Sequence, residues 1–438
     1  MGEATLASLL SFTRDGEWGY GEPTDGHSLA LVIRGTDFGR VRAGILEGLP
    51  LRYIRSDILE RKRVLAKDTI IETAGGTKDQ PTGRTVFITD GTIRRAKHPL
   101  ICASFARVLR PDASAVDPEF LYWKLQDEYK SRRMYPYHVQ HTGVARFQYT
   151  QFAERHLLSL PAISTQHAIA AVLSTLDDKI ELNRRMNETL EASARALFRD
   201  WFVDFGPTRA KAEGRPPYLA PDIWSLFPDQ MGNDGVPVGW EWAALASIAQ
   251  LNPESWSARN RPPTLTYVDL SNTNWGYIEA VEMYSFDDAP SRARRVLRPG
   301  DTIVGTVRPG NGSFAYISES GLTGSTGFAV LRPKDRLDQA LVWCAATDPS
   351  NIERLAHLAD GGAYPAVRPD IVANTEIALP DTALRVAFAE ATSPVLNQIE
   401  ANKRESRTLA ETRDALLPKL MSGEIRVRDA EALVAECV

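Results

Sequence analysis

The 438-residue chain has only three cysteines. Cys102, Cys344 and Cys437 are odd in number, far apart and without CxxC spacing, which excludes a disulfide framework and a cysteine zinc knuckle and suits a reducing compartment. Long hydrophobic runs are lacking too. No stretch approaches the ~18–20 apolar residues that span a bilayer, and Met1–Arg14 has no charged segment leading into an apolar core. The expectation is a cytoplasmic protein without membrane insertion. Charge of one sign is not in excess: 51 Lys and Arg against 56 Asp and Glu leave −5. Taken alone, that mild acidity argues against a nucleic-acid binder. With 43% hydrophobic and 24% charged residues the composition excludes a collagen-like or mainly disordered chain. At ~100–200 residues per domain, the length predicts several domains.

Catalytic motifs are also missing. Gly75-Gly76-Thr77-Lys78 lacks the GxxxxGK[ST] pattern of a phosphate loop and reads as a Gly-rich turn. Adenine methylation needs an Asn or Asp before Pro-Pro-aromatic to accept from the amino group attacked, but Arg215-Pro216-Pro217-Tyr218 puts a cation there. Glu60-Arg61-Lys62 has the ExK spacing of a metal nuclease without the Pro-Asp that should precede it. The seven histidines include no HExxH. Asp177-Asp178 on a helix would send one carboxylate to solvent.

What is present is an internal duplication. Ile180-Glu181-x-Asn183-Arg184-Arg185-x-x-x-Thr189-Leu190 falls, without gaps, on Ile399-Glu400-x-Asn402-Lys403-Arg404-x-x-x-Thr408-Leu409. With small shifts, Val64-Leu65 and Asp68-Thr69-Ile70-Ile71 match Val296-Leu297 and Asp301-Thr302-Ile303-Val304, and Val108-Leu109-Arg110-Pro111 matches Val330-Leu331-Arg332-Pro333. Each half is a long variable segment followed by a shorter, better-matched one.

The matched segments read as helices. Thr165–Trp201 contains no Pro or Gly, and Ile169, Leu176, Met186, Leu190, Leu197 and Trp201 recur at the three-four spacing of a seam. Phe388, Val395, Ile399, Leu409 and Leu416 repeat it in the same phase. Ser164 and Asp381 suit N-caps, and Gly206-Pro207 and Gly423 suit stops. The variable halves carry short β-branched and aromatic runs, Asp68–Glu72, Thr85–Thr89, Asp301–Val307 and Gly327–Leu331, with helices near Pro118–Arg132 and Leu337–Asp348. Gly206–Gly239, rich in Pro and Gly, reads as a surface linker.

Counting charge by region changes the first impression. Residues 1–150 hold 22 Lys and Arg against 18 Asp and Glu, so the first variable domain is basic. Its cations cluster around Arg84, Arg94 and Arg95 and at Arg132-Arg133, next to His141, Arg146, Gln148 and Tyr149. Phosphate-reaching cations mixed with amide, imidazole and phenol groups suit contacts in a nucleic-acid groove. The second domain is acidic overall yet gathers Arg292, Arg294 and Arg295 in one stretch.

Leu173–Ala192, with Ala196-Leu197-Phe198 and Trp201–Phe205, resembles the central helix of the specificity subunits of type I restriction-modification systems. Leu226-Phe227-Pro228, Val236-Pro237-Val238-Gly239-Trp240-Glu241 and Leu416-Leu417-Pro418-Lys419-Leu420-Met421-Ser422-Gly423-Glu424-Ile425 resemble that family's linker, second-domain start and distal region. The resemblance implies an α+β fold: two mixed α/β target recognition domains joined by two long antiparallel helices, as a pseudo-twofold tandem duplication. The expected division is 1–160 and 240–379 for the recognition domains, 161–206 and 380–425 for the helices, 207–239 for the linker and 426–438 for a tail. It further implies that each domain reads one half of a bipartite asymmetric site in double-stranded DNA, that methyltransferase subunits dock on the helices, and that motor-nuclease subunits join for cleavage. The chain would then be non-catalytic and bind no cofactor, with S-adenosylmethionine, ATP and Mg held by its partners.

A pseudo-dyad through Asn183 and Asn402 would pair Ile169 with Leu416, Leu176 with Leu409, Met186 with Ile399, Leu190 with Val395 and Leu197 with Phe388, the asparagines fixing register. In matching loops of the family, Lys78, Arg84, Arg308 and Asn311 follow the repeated strand. His141, Thr142, Arg146, Gln148 and Tyr149 in one half, and Tyr364 and Arg368 in the other, fall in or beside its Gly-containing recognition loop. The competing readings are a coiled-coil scaffold with no DNA role, and an enzyme fusing recognition to methylation, which the missing motifs disfavour.

Overall fold

The computed structural model describes residues 2–76, 80–140, 144–257, 259–362 and 364–435. The chain forms two compact units, residues 1–185 with 403–438, and residues 186–402. Two long helices, a central one at Ile163–Phe202 and a distal one at Thr382–Ser422, each pass from one unit into the other. With 40 and 41 residues, each is about 60 Å long.

The first unit opens with strand Gly2–Thr5 paired to Leu157–Leu160. Its main sheet has the order Leu10–Asp15, Ala106–Pro111, Thr69–Glu72, Thr85–Phe87, all antiparallel. A second sheet sets His27–Ile33 between Leu51–Arg55 and, in parallel, Leu100–Cys102. The second unit repeats the plan. Glu241–Ala244 pairs with Glu376–Leu379, and the main sheet runs Ala249–Leu251, Phe328–Pro333, Thr302–Gly305, Phe314–Tyr316. Its second sheet again holds a parallel pair, Thr264–Val268 with Leu322–Ser325. Helices Pro118–Lys130 and Gln339–Ala346 pack on the respective cores, burying Trp123 and Trp343.

The repeated sequence elements have a physical reason. In the first unit the fully buried Asp68 accepts from Arg110 Nε and Nη2, both at 2.8 Å, and from the Leu65 backbone N–H at 2.7 Å. In the second, the equally buried Asp301 accepts from Arg332 Nε and Nη2 at 2.8 and 2.9 Å and from Arg298 N–H at 2.8 Å. The bidentate geometry and the third bond compensate the carboxylate for lost water. Each latch ties the turn before the middle strand to the strand beside it.

Within each unit the helix segments pack antiparallel. In the first, Ile169, Leu176, Leu409 and Leu416 share one buried cluster. Of the adjacent Asp177 and Asp178, Asp177 binds Arg42 at 2.8 Å and also Arg413. In the second, Leu190, Leu197, Val395, Phe388 and Ile399 join another cluster. The register differs from the expected one by about a turn. Met186 is 40% exposed rather than facing Ile399. The buried position belongs to Asn187, which donates to the Ile399 carbonyl at 3.3 Å and accepts from Asn402 Nδ2 at 2.8 Å. Phe388 meets the rings of Trp201 and Phe202, at 5.8 and 4.9 Å, one turn beyond Leu197. Asn183, also buried, donates to Ser406 Oγ at 3.3 Å and to Glu405 Oε2 at 2.6 Å. Periodicity cannot separate registers one turn apart when apolar residues fill both; the amides select between them because each needs a buried partner.

Two of the four expected helix ends also differ. Ser164 lies inside the first turn, because the central helix begins at Ile163. Asp381 does cap the distal helix, accepting from Leu384 N–H at 3.0 Å, and Gly423, at φ 76°, follows its last residue. Gly206-Pro207 starts a new helix, Gly206–Ala212, after Phe205 turns left-handed at φ 54°. The presumed surface linker is pinned, with Phe227, Val236 and Trp240 buried among Trp201, Phe202 and Phe205. No helix among the described residues is long and apolar enough to cross a membrane.

Replacing Asp301 or Asp68 by Asn removes the buried charge that holds the half-buried Arg332 or Arg110, of which Arg332 keeps Glu254 as a second partner. Each substitution is expected to destabilise its own unit by about 3–5 kcal/mol, read by denaturant unfolding with local hydrogen exchange; unchanged protection of the adjacent strands would contradict the latch.

Candidate nucleic-acid interface

In both units the middle strand of the main sheet runs into a loop that chain from the end of the domain then grips. In the first, Phe147 N–H donates to the Thr73 carbonyl at 2.8 Å, Gly75 N–H to the Ala145 carbonyl at 3.1 Å, and Ala74 bridges Arg146. In the second, Val367 N–H donates to the Thr306 carbonyl at 2.9 Å, Arg308 N–H to the Pro365 carbonyl at 2.7 Å, and Val307 bridges Ala366. The two junctions are the same piece of backbone built twice with different side chains. Their loops sit on a latched sheet, an arrangement that holds variable residues on a fixed scaffold.

On the first junction Arg146, Gln148 and Tyr149 line a cleft of about 520 Å3 together with Phe105 and Arg107. The Arg107 guanidinium lies 4.4 Å from the centre of the Tyr149 ring and pairs with Asp15 at 2.6 Å. Burial pushes the Tyr149 phenol above its ordinary range, so it serves as a neutral hydrogen-bonding group. Phe105, though aromatic, is mostly exposed. Neither Phe105 nor Arg107 was singled out from sequence. A signal did exist: the repeat that aligns Arg110 with Arg332 sets Arg107 opposite Ala329 and Phe105 opposite Gly327, so the copies differ where the surface is built.

On the second junction Arg308 stands at φ 47° with its guanidinium 4.8 Å from the centre of the Tyr364 ring. Tyr364 is 71% exposed. Asn311 closes the turn, its N–H donating to the Arg308 carbonyl at 2.9 Å. Arg368 adjoins Val367; its side chain is 80% exposed and pairs with Asp370 at 3.1 Å. Arg308, Asn311, Tyr364 and Arg368 thus come together.

Other candidates are engaged in holding the fold. Arg84 forms a bidentate pair with the buried Glu72, at 2.9 and 2.6 Å. Arg95 reaches Glu181 on the central helix at 3.3 Å, and burial lowers its pKa. Arg133 binds Glu128 at 2.7 Å and also Asp127. Burial pushes the Glu128 carboxyl up, but hydrogen bonds from His156, Arg133 and Lys124 outweigh it and hold the pKa at about 2. Arg292 is drawn to Asp269 and the Tyr267 hydroxyl, at 2.8 and 2.9 Å. Arg294 lies over Phe286, and Arg295 is half-buried beside Ser255. Arg94 and Arg132 are exposed but belong to neither junction. Lys78, His141 and Thr142 lie outside the described residues. Among the described residues no group of three or more His, Cys, Asp or Glu is placed to hold a metal.

The chain is built as two copies of one plan, each with its own sheet junction and its own segments of the two long helices. Residues 52–192 match the family described as type I restriction modification DNA specificity domain. The chain is 27% identical over 370 residues to the type I restriction enzyme HindI specificity subunit of Haemophilus influenzae, covering 73% of this chain and 80% of that one. It is 23% identical to the MjaIX specificity subunit of Methanocaldococcus jannaschii, over 77% and 76% of the two chains. Among solved structures, the type I restriction-modification S subunit from M. genitalium shares the fold, with a TM-score of 0.51 and 14% identity over 96% of this chain and 95% of that one. The chain is thus similar to specificity subunits of type I restriction-modification systems over most of its length, and its residues 52–192 carry the match to that family's DNA specificity domain.

Arg368→Ala should weaken binding to one half-site by ~1–3 kcal/mol if it reads a base, whereas Arg84→Ala should lower thermal stability without altering base preference; fluorescence-anisotropy titrations against half-site variants, with melting curves, separate the two. Because the folded Glu128 pKa lies below its ordinary 4.5, its network contributes fully above that pH and is lost as pH falls toward about 2. Glu128→Gln should flatten the acid limb of an unfolding-versus-pH curve.

Proposed function

We propose that this chain is the DNA sequence-recognition subunit of its complex, with each recognition domain reading one half of a bipartite, asymmetric site. The observation that carries the reading is the loop junction built twice on the same backbone with different polar and aromatic side chains. Two copies with one geometry but different surfaces suit two different half-sites approached in the same manner. In this reading the paired helices set the spacer and supply the docking surface for methyltransferase subunits, and motor-nuclease subunits join for cleavage.

The chain itself is read as non-catalytic. Its buried carboxylates neutralise arginines, as Asp68, Asp301 and Glu72 do, and are unavailable for acid-base work. S-adenosylmethionine, ATP and Mg are assigned to the partners. With a formal charge of −5, the isolated chain should hold DNA weakly and with strong salt dependence.

Co-expression with its methyltransferase subunits, followed by single-molecule mapping of methylated adenines, should yield one asymmetric two-part motif. A complex that methylates without regard to this chain would favour the scaffold reading instead. Adding one helical turn to each helix at facing levels, after Thr189 and after Glu400, should lengthen the spacer by one or two base pairs, since a turn adds about 5 Å, and leave both half-sites unaltered.

A further inference from the structure

In the second unit a small hairpin pairs Thr273–Asn274 with Tyr277–Ile278, leaving Trp275-Gly276 as a two-residue turn. Both turn residues have positive φ, 44° and 90°, the pattern of a type I′ turn. That turn favours Asn-Gly or Gly-Gly, because a bulky side chain resists the left-handed region. A tryptophan at the first position therefore works against the local fold. Burial does not repay it in full, since Trp275 is 50% exposed.

The indole is nevertheless held in place. The backbone of the turn is fixed by the Trp275 amide N–H donating to the Gly312 carbonyl at 2.7 Å and the Gly276 amide N–H to the Phe314 carbonyl at 2.9 Å. The ring lies edge-on to Phe314 at 5.6 Å and so close over Gly312 that a Cβ there would come within 2.4 Å of it. Gly312 ends the same short turn that Arg308 begins, and Arg308 is itself a left-handed residue lying against the exposed Tyr364. Strained, bulky residues gather at functional surfaces when surrounding contacts over-determine them. Here two meet: Arg308 begins the turn that contains Asn311, and Trp275 of the neighbouring hairpin packs over the Gly312 that ends it.

We propose that Trp275 is a specificity-determining residue of the second recognition domain, its exposed indole making apolar contact with a thymine C5-methyl in the half-site that Arg308 and Arg368 approach. The methyl is the apolar group that base edges present in the major groove, and the neighbouring arginines favour a polyanion over an apolar protein surface. The proposal rests on the DNA-recognition reading above.

The test uses the assembled methyltransferase complex and its mapped motif. Trp275→Asn gives the turn its preferred residue, so a role in folding alone predicts a change in melting temperature and no change in sequence preference. The expected result is a relaxed motif at one or two positions of the second half-site, with the first half-site unchanged. In duplexes where each second-half thymine is replaced by uracil, one replacement should cost the wild-type complex at least about fivefold in affinity and cost the variant little. Equal losses in both complexes, an unchanged motif, or loss of subunit assembly would each overturn the proposal. If the wild-type complex marks no two-part site, the failure belongs to the DNA-recognition reading instead.

Discussion

A buried carboxylate bonded to an arginine and to a backbone N–H sets the geometry of both units. Asp68 and Asp301 sit at the same place in the repeated sheet, each where the chain turns into the middle strand. Such a group is costly to bury alone and tolerable only when every acceptor site is filled. Filling it requires Arg110 or Arg332 on the neighbouring strand, so turn, strand and neighbour are fixed together. The loop leaving the far end of that strand then begins from a determined position, and the bridges at Ala74 and Val307 carry the determination to the domain's closing segment. Side chains on these loops can change without disturbing what holds them.

The helices obey a different constraint. Apolar residues at three-four spacing make a seam, but a seam alone tolerates sliding by a turn. Asn187 and Asn402 remove that freedom in one unit, and Asn183 with Ser406 and Glu405 does so in the other. A buried amide that loses its partner costs more than a displaced leucine. The helices also dock their own domains: Asp177 takes Arg42, while Arg195 reaches the Thr347 carbonyl at 3.0 Å and lies over Trp343. In the second copy the helix residue Arg195 lies over the domain's Trp343, whereas in the first the domain's own Arg42 lies over Trp123 and reaches the helix through Asp177.

Several of the cations that composition draws attention to are held by the fold itself. Arg84, Arg95, Arg133 and Arg292 looked like phosphate ligands in a basic stretch, yet each completes an ion pair within its own unit. The surface residues that remain, Arg146, Gln148, Arg308, Tyr364 and Arg368, come from segments far apart in sequence that meet at the junctions. The copies also differ inside their matched frame, Arg107 lining a cleft where Ala329 is buried.

The duplication, the two long helices and the paired Asp and Arg positions were legible in sequence, because repetition and periodicity are properties of the chain's order. The same order shows that Asp68 and Arg110 recur, without showing that they bond. Tertiary structure decided the helix register, moving the buried place from Met186 to Asn187, and decided which arginines are spent inside the fold. It also set Trp275 in a turn its residue type resists. Each of these depends on which groups from distant segments can satisfy one another once water is excluded, and that is settled only when the segments have met.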